Sequence, residues 1–274
     1  MPPTRLPTIT LNTGATTPQL GFGVFALDDE ATARAVEAAI ASGYRSIDTA
    51  AVYLNERGVG LGIRRSGIPR AELFVTTKLW NTHHLTAGEE AGHSLDRLGL
   101  DYVDLYLVHW PVSSAGTHLR AWDGLEEVRR SGAARSIGVS NFSREQVDEV
   151  IALGGTVPSV NQIELHPLHS QPELRAFHAE RGIATQAWSP LGRGLALGTP
   201  EIGSIARELG VTEAQAILRW HLQLGTIPLP KSASADRIRE NIDILGFELD
   251  ATDMATIDAL TIGRRVDESY YEWA

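Results

Sequence analysis

The chain has 274 residues, 43% hydrophobic and 21% charged, the composition of a globular protein able to bury a sizeable core, which excludes disorder and coiled coil. Its formal net charge of -10 is gathered in no acidic block, so it reads as a solubility feature and argues against a nucleic-acid partner. With no cysteine, disulfides and thiolate metal sites are excluded; residues 1–10 show no apolar leader and no run of about 18 apolar residues occurs, so a soluble, cytoplasmic protein with no membrane partner is expected.

In chain order, a hairpin is expected to turn at Asn12-Thr13-Gly14, after which short β-like runs alternate with amphipathic stretches, the pattern of parallel βα units. Eight strands are expected, at 20–24, 44–48, 73–78, 103–109, 134–139, 159–162, 183–188 and 226–229. Helical spacing supports four of the intervening helices. One places Ala33, Val36 and Ile40 on a face and stops at Gly43; another opens with a capping box from Thr86 to Glu89 and aligns Ala91, Leu95 and Leu98 before Gly99. A third opens at Ser143 with Gln146 three residues on and buries Val147, Val150 and Ile151, and a late one begins near Ser234 and presents Ile238, Ile242 and Leu245. No linker divides the chain. Eight units with no break predict a single domain over 1–274, a (β/α)8 TIM barrel with an N-terminal β-hairpin, because an open doubly wound sheet more often stops at five to seven strands.

In such a barrel the chemistry sits at the C-terminal ends of the strands. Asp48, Lys78 and His109 end the second, third and fourth strands, and Tyr53 lies just beyond Asp48. A lone Asp after a strand is usually a turn or cap residue. Four proton-handling groups brought to one face by three successive units point to a catalytic site.

These residues also carry a resemblance. Gly43-Tyr-Arg-Ser-Ile-Asp-Thr-Ala50 with Tyr53, Asn55, Glu56 and Gly60, then Lys78 and Leu107-Val-His-Trp-Pro111, resembles the aldo-keto reductase family. So do Ile137-Gly-Val-Ser-Asn-Phe142, Asn161-Gln-Ile-Glu164, Trp188-Ser-Pro-Leu191 and Ile227-Pro-Leu-Pro-Lys-Ser232 with Arg237, Glu240 and Asn241. The match runs in order over about 8–250 and is closest to short bacterial members similar to 2,5-diketogluconate reductase. It implies NADPH-dependent reduction of aldehydes or ketones by a tetrad of Tyr53, Asp48, Lys78 and His109. Tyr53 is then the acid; a free tyrosine has a pKa near ~10, so an adjacent ammonium from Lys78 is needed to favour the phenolate. Asp48 would hold Lys78, and His109 would direct the carbonyl oxygen.

Two glycine patterns compete for the cofactor. Gly21-Phe-Gly23-Val-Phe-Ala26 loosely fits a dinucleotide fingerprint, but 16–19 make a poor buried strand and the next helix starts only after Asp28-Asp29. Gly58, Gly60 and Gly62 read as close helix packing. A barrel binds phosphate in the loops after strands seven and eight, where Lys231, Ser232 and Arg237 flank the start of the late helix, which favours NADPH/NADP+ over NAD. The resemblance places Glu240 and Asn241 near the adenine. Ser140, Asn141 and Gln162 close the fifth and sixth strands with groups able to hold a carboxamide, Trp188 offers a flat face, and the resemblance implies that Ser189 and Leu191 bind the cofactor as well. Phe25, Trp80 and Trp110 fall just past strand ends and would line an apolar substrate entrance.

Other readings remain at this point. His166 and His169 invite a metal, as in a barrel hydrolase using Asp48, His109 and His166, but no further ligand is well placed and no metal is expected. His83 and His84 read as loop surface. A non-catalytic NADPH-binding barrel, a sensor or partner subunit, is the alternative to the reductase. The loops 112–120 and 192–200 and the tail from Gly263 are short, so an open pocket for a small carbonyl substrate is expected, with Arg193 or Arg264 favouring an acidic one; a monomer is expected.

Overall fold

In the computed structural model, which describes residues 6–273, the eight expected strands form one parallel sheet around which the helices are wrapped. An antiparallel hairpin precedes it, β1 (Thr8–Thr10) paired with β2 (Thr16–Pro18), and Gly14 turns the loop between them with φ +82°. The barrel strands are β3 (Phe22–Gly23), β4 (Ser46–Asp48), β5 (Phe74–Leu79), β6 (Val103–Val108), β7 (Ala134–Ser140), β8 (Val160–Glu164), β9 (Ala184–Trp188) and β10 (Ile227–Pro228). Each pairs with its sequence neighbour. The ends meet where Gly21 N donates to Pro228 O and Gly23 N to Pro230 O, both at 3.0 Å, which closes the (β/α)8 barrel. The short β3 and β10 are the closing seam.

That seam explains the first glycine pattern. A methyl on Gly21 would lie 2.5 Å from Leu229 Cδ2, and one on Gly23 3.2 Å from Leu229 O. The close approach of the neighbouring strand accounts for these glycines without a phosphate. The second trio packs helices, as expected from the sequence: in α2 (Glu56–Ser66), a methyl on Gly58 would meet Asp29 O at 2.2 Å in α1 (Asp29–Ala41), and one on Gly60 would meet Leu98 O at 1.9 Å in α3 (Ala87–Leu98).

The remaining helices are α4 (His118–Ser131), α5 (Arg144–Ala152), α6 (Pro172–Glu180), α7 (Pro200–Leu209), α8 (Glu213–Gln223), α9 (Ala235–Ile242) and α10 (Ala251–Asp258). The Ser143 capping box forms as expected at α5, with Gln146 Oε1 accepting from Ser143 N at 2.7 Å. The Thr86 box does not form at α3: Thr86 sits at φ -128°, ψ 34°, and its hydroxyl instead donates to His83 O at 3.4 Å. The late helix ends at Ile242, so Leu245 lies beyond it, packed against the core from a loop. Residues 1–5, part of the stretch expected to lack a leader, and residue 274 lie outside the described residues.

Candidate active site

Parallel pairing sets Asp48 opposite Thr76, so Lys78, two residues further along β5, shares its face of the sheet. His109 follows β6 directly, and Tyr53 ends the single turn Ala51–Tyr53 after β4. The four groups meet. Lys78 Nζ donates to Asp48 Oδ1 at 2.6 Å and Thr49 O at 2.8 Å, and reaches the Tyr53 hydroxyl at 3.4 Å. Its side chain is 0% exposed and that of Asp48 only 6%. Burial by itself would lower the Lys78 pKa, but the charge of Asp48 and then the Tyr53 hydroxyl outweigh it, leaving the ammonium above its ordinary value. Lys78 therefore stays charged at neutral pH.

The His109 ring stands edge-on to Tyr53, centroids 5.7 Å apart, and to Trp80 at 5.3 Å. Burial, reinforced by the Lys78 charge, pushes its imidazole well below the ordinary value, so it is neutral. Its Nδ1 is buried without a hydrogen-bond partner, which leaves Nε2 as the nitrogen available to the cavity. Neutral imidazole carries one N–H, enough to donate to an oxygen there.

Asp48, Tyr53 and His109 line a cavity of about 730 Å³, with Lys78 behind them. Phe25, Trp80 and Trp110 form its apolar side near the tetrad, and Phe25 meets Tyr53 edge to face at 5.0 Å. Val52, Leu197 and Leu229 complete the wall. Val52 was findable as the neighbour of Tyr53 and Leu229 as the end of the expected strand 226–229; Leu197 carries no local signal.

The polar strand-end residues interlock along the floor. Gln162 Nε2 donates to Asp48 Oδ2 at 2.8 Å and to Gln186 Oε1 at 3.0 Å, so its carbonyl oxygen is what it offers a ligand. Asn141 Nδ2 donates to His109 O and to Ser140 Oγ, both at 3.0 Å, while Asn141 Oδ1 accepts from Trp188 Nε1 at 2.7 Å. Trp188, Ser189 and Leu191 follow on the wall, then Lys231 and Arg237. Ser232, Glu240 and Asn241 are not on it: Ser232 and Asn241 are buried, and Glu240 accepts from Thr212 Oγ1 at 2.8 Å.

Among the described residues no group of three or more His, Cys, Asp or Glu could hold a metal ion. His166 is buried and bonded to Glu164 Oε1 through Nε2 at 2.9 Å. His84 is a correction to the expected loop surface: it is 2% exposed, with Nδ1 2.8 Å from Thr117 Oγ1. His83 is half-exposed, as expected.

Among the described residues seven non-glycine residues hold positive φ: Ala26, Leu54, Val112, Asn141, Gln171, Ser189 and Arg193. All lie in loops that leave the C-terminal ends of barrel strands. Strain of this kind gathers at functional sites.

Comparison with known proteins shows the family. The model of the aldo/keto reductase family matches residues 17–262. An aldo-keto reductase of Mycolicibacterium vanbaalenii is 50% identical over 263 residues, 95% of this chain and 94% of that protein. A Bombyx mori aldo-keto reductase, solved in complex with NADP, superposes with TM-score 0.92 at 35% identity and covers 98% of both chains. A mutant of Gox0644 in complex with NADPH gives TM-score 0.91 at 42% identity over 95% of this chain and 96% of that one.

Proposed function

This chain belongs to the aldo/keto reductase family, and on that premise we propose that it reduces aldehydes or ketones to alcohols with NADPH, Tyr53 giving the proton. The observation that carries the assignment of roles is the buried Lys78 ammonium, held on Asp48 and 3.4 Å from the Tyr53 hydroxyl. Bound NADPH supplies the hydride. The residues present fit it: Lys231 and Arg237 put two cations on the wall beside the Ser234-capped start of α9, and Ser140, Asn141, Gln162 and Trp188 give an amide-lined floor with a flat ring at the end nearer the tetrad.

His109, neutral, donates a hydrogen bond to the carbonyl oxygen and fixes its direction toward Tyr53. As negative charge builds on that oxygen, the Tyr53 O–H passes its proton across, and the Lys78 ammonium stabilises the phenolate left behind. Asp48 holds Lys78 in place and is itself oriented by Gln162. Phe25, Trp80 and Trp110 exclude water from the oxygen and strengthen each of these interactions. The same reading makes the chain a cytoplasmic, single-domain monomer whose partner is a small carbonyl compound, with no nucleic acid or membrane involved; among the described residues no helix is long and apolar enough to cross a membrane.

The test is carbonyl-dependent loss of NADPH absorbance in wild type and Tyr53→Phe. A fall of about 10²- to 10⁴-fold, with NADPH binding retained by fluorescence, is expected. Turnover preserved in Tyr53→Phe would remove Tyr53 from the role. Arg237→Ala should narrow the preference for NADPH over NADH.

A further inference from the structure

One buried acid near the cavity has no part in the tetrad. Glu164 ends β8, two residues past Gln162, and its side chain is 0% exposed. A carboxylate is costly to bury and persists only where polar partners hold it. Its Oε1 accepts from His166 Nε2 at 2.9 Å and from the backbone N–H of Val266 at 2.7 Å, 102 residues downstream. A charged acceptor holds a backbone N–H about twice as strongly as a neutral one. Other bonds dock the same segment on the same loop: Ile262 N and Arg264 N both donate to Leu168 O, at 3.2 and 3.1 Å, and Thr261 Oγ1 donates to Pro167 O at 3.1 Å.

The second partner, His166, faces the other side of the cavity wall. A methyl on Gly192 would lie 3.3 Å from His166 Cγ and Nδ1, so the imidazole packs directly on that glycine. Gly192 leads into Arg193, which lines the cavity and carries its guanidinium 5.5 Å from the centre of the Phe25 ring. Asp267 has its carboxyl held below the ordinary value first by hydrogen bonds from Ser269 and in part by the charge of Arg193.

We propose that Glu164 is a positioning residue for the carbonyl pocket: through one oxygen it ties the Val266 N–H to His166, and so locks the tail 261–267 and the turn Gly192–Gly194 into one wall. This rests on the reductase reading of the cavity. The wall it sets carries Arg193, Gly194 and Leu197, all on the cavity, and the role assigned to Glu164 is substrate fit, not the proton step.

The test uses Glu164→Gln, a chain ending at Arg265, and the two combined. Glu164→Gln should raise KM for an aromatic aldehyde about tenfold with kcat within about twofold, and should speed hydrogen exchange of the Val266 amide by a similar factor. The shortened chain should show the same KM rise, and Glu164→Gln should add nothing to it. Effects that add, or an unchanged KM in either variant, overturn the proposal. Should Glu164→Gln fail to fold, the shortened chain alone decides, since without its own KM rise the tail is no part of the pocket. If wild type turns over no carbonyl, the reductase reading has failed; Val266 exchange then reports separately on whether Glu164 holds the tail.

Discussion

Replacing Lys78 by methionine keeps an unbranched side chain one atom shorter and removes its charge. The ammonium donates to Asp48 and to Thr49 O within a site where Lys78 is fully buried, so the variant strands a carboxylate whose side chain is 6% exposed. Breaking a buried pair by removing one partner costs about 3–5 kcal/mol. Gln162 still donates to Asp48 Oδ2 at 2.8 Å, which places this case at the low end, about 3 kcal/mol, or about 6–12 °C in Tm for a chain of this size. Adding Asp48→Asn removes the stranded charge, so the double variant should regain about 2 kcal/mol over Lys78→Met. Activity should not follow: both variants lack the cation beside Tyr53 and should lose about 10²- to 10⁴-fold in kcat. Urea unfolding and steady-state reduction, run side by side, separate the two effects. A double variant no more stable than Lys78→Met, or a Lys78→Met that reduces carbonyls at the parental rate, would refute the account of this pair.

Gly60→Ala should destabilise by at least about 3 kcal/mol in urea unfolding, because a methyl 1.9 Å from Leu98 O forces α2 off α3, whereas Gly92→Ala in α3 meets nothing within 4 Å and should gain about 1 kcal/mol of helix propensity. Loss of NADPH binding in Gly60→Ala with stability intact would restore a dinucleotide role for these glycines. Acid should also unfold the protein through buried histidines: burial lowers His178 and His84 to about 4 and His221 to about 3, while the unfolded chain takes up protons near 6.5. The folded values are depressed, so their stabilisation is full above pH 6.5 and is lost as pH falls toward 4, at up to about 4 kcal/mol per pH unit for three protons; an equal urea midpoint at pH 4.5 and 6.5 would contradict it.

The tetrad was legible because a barrel turns sequence position into spatial position. Asp48, Lys78 and His109 close three successive β-like runs, which puts them at one rim of the barrel, and their convergence there with Tyr53, not any one of them alone, marked the site. The barrel was legible for a similar reason, since β5 and β6 are buried six-residue runs rich in the β-branched, aromatic and leucine residues of strands, and they stand out in the sequence. What stayed hidden depends on contacts between distant segments. Gly21 and Gly23 look like half a fingerprint until β10 is seen against them. Thr86 has the spacing of a capping box, but its backbone is not extended, so its hydroxyl turns back to His83. His84 sits in a polar pair of residues that reads as surface, and only Thr117 beyond β6 shows that it is buried. Ser232 precedes α9 while Glu240 and Asn241 lie on it, and their expected place near the cofactor rests on the motif alone.

The left-handed residues carry one step further, because the two rims of the barrel treat the same backbone demand differently. Where helices hand over to strands, the position with positive φ is given to glycine, as at Gly43 before β4 and Gly99 before β6. There the residue has only a turn to make, and glycine makes it without steric cost. At the opposite rim the same conformation is imposed on Leu54, Val112, Asn141 and Ser189, at about 1 kcal/mol or more each. For Asn141 the reason is visible: with φ 64° its amide reaches His109 O, Ser140 Oγ and Trp188 Nε1 together, which a glycine could not do. Leu54, next to Tyr53 and 85% exposed, gains no such contacts for its side chain; its backbone N–H donates to Ala51 O and closes the turn that aims the phenol at Lys78. Strain at this rim therefore follows the side chains that must be aimed, and the rim that only supports the barrel is nearly free of it.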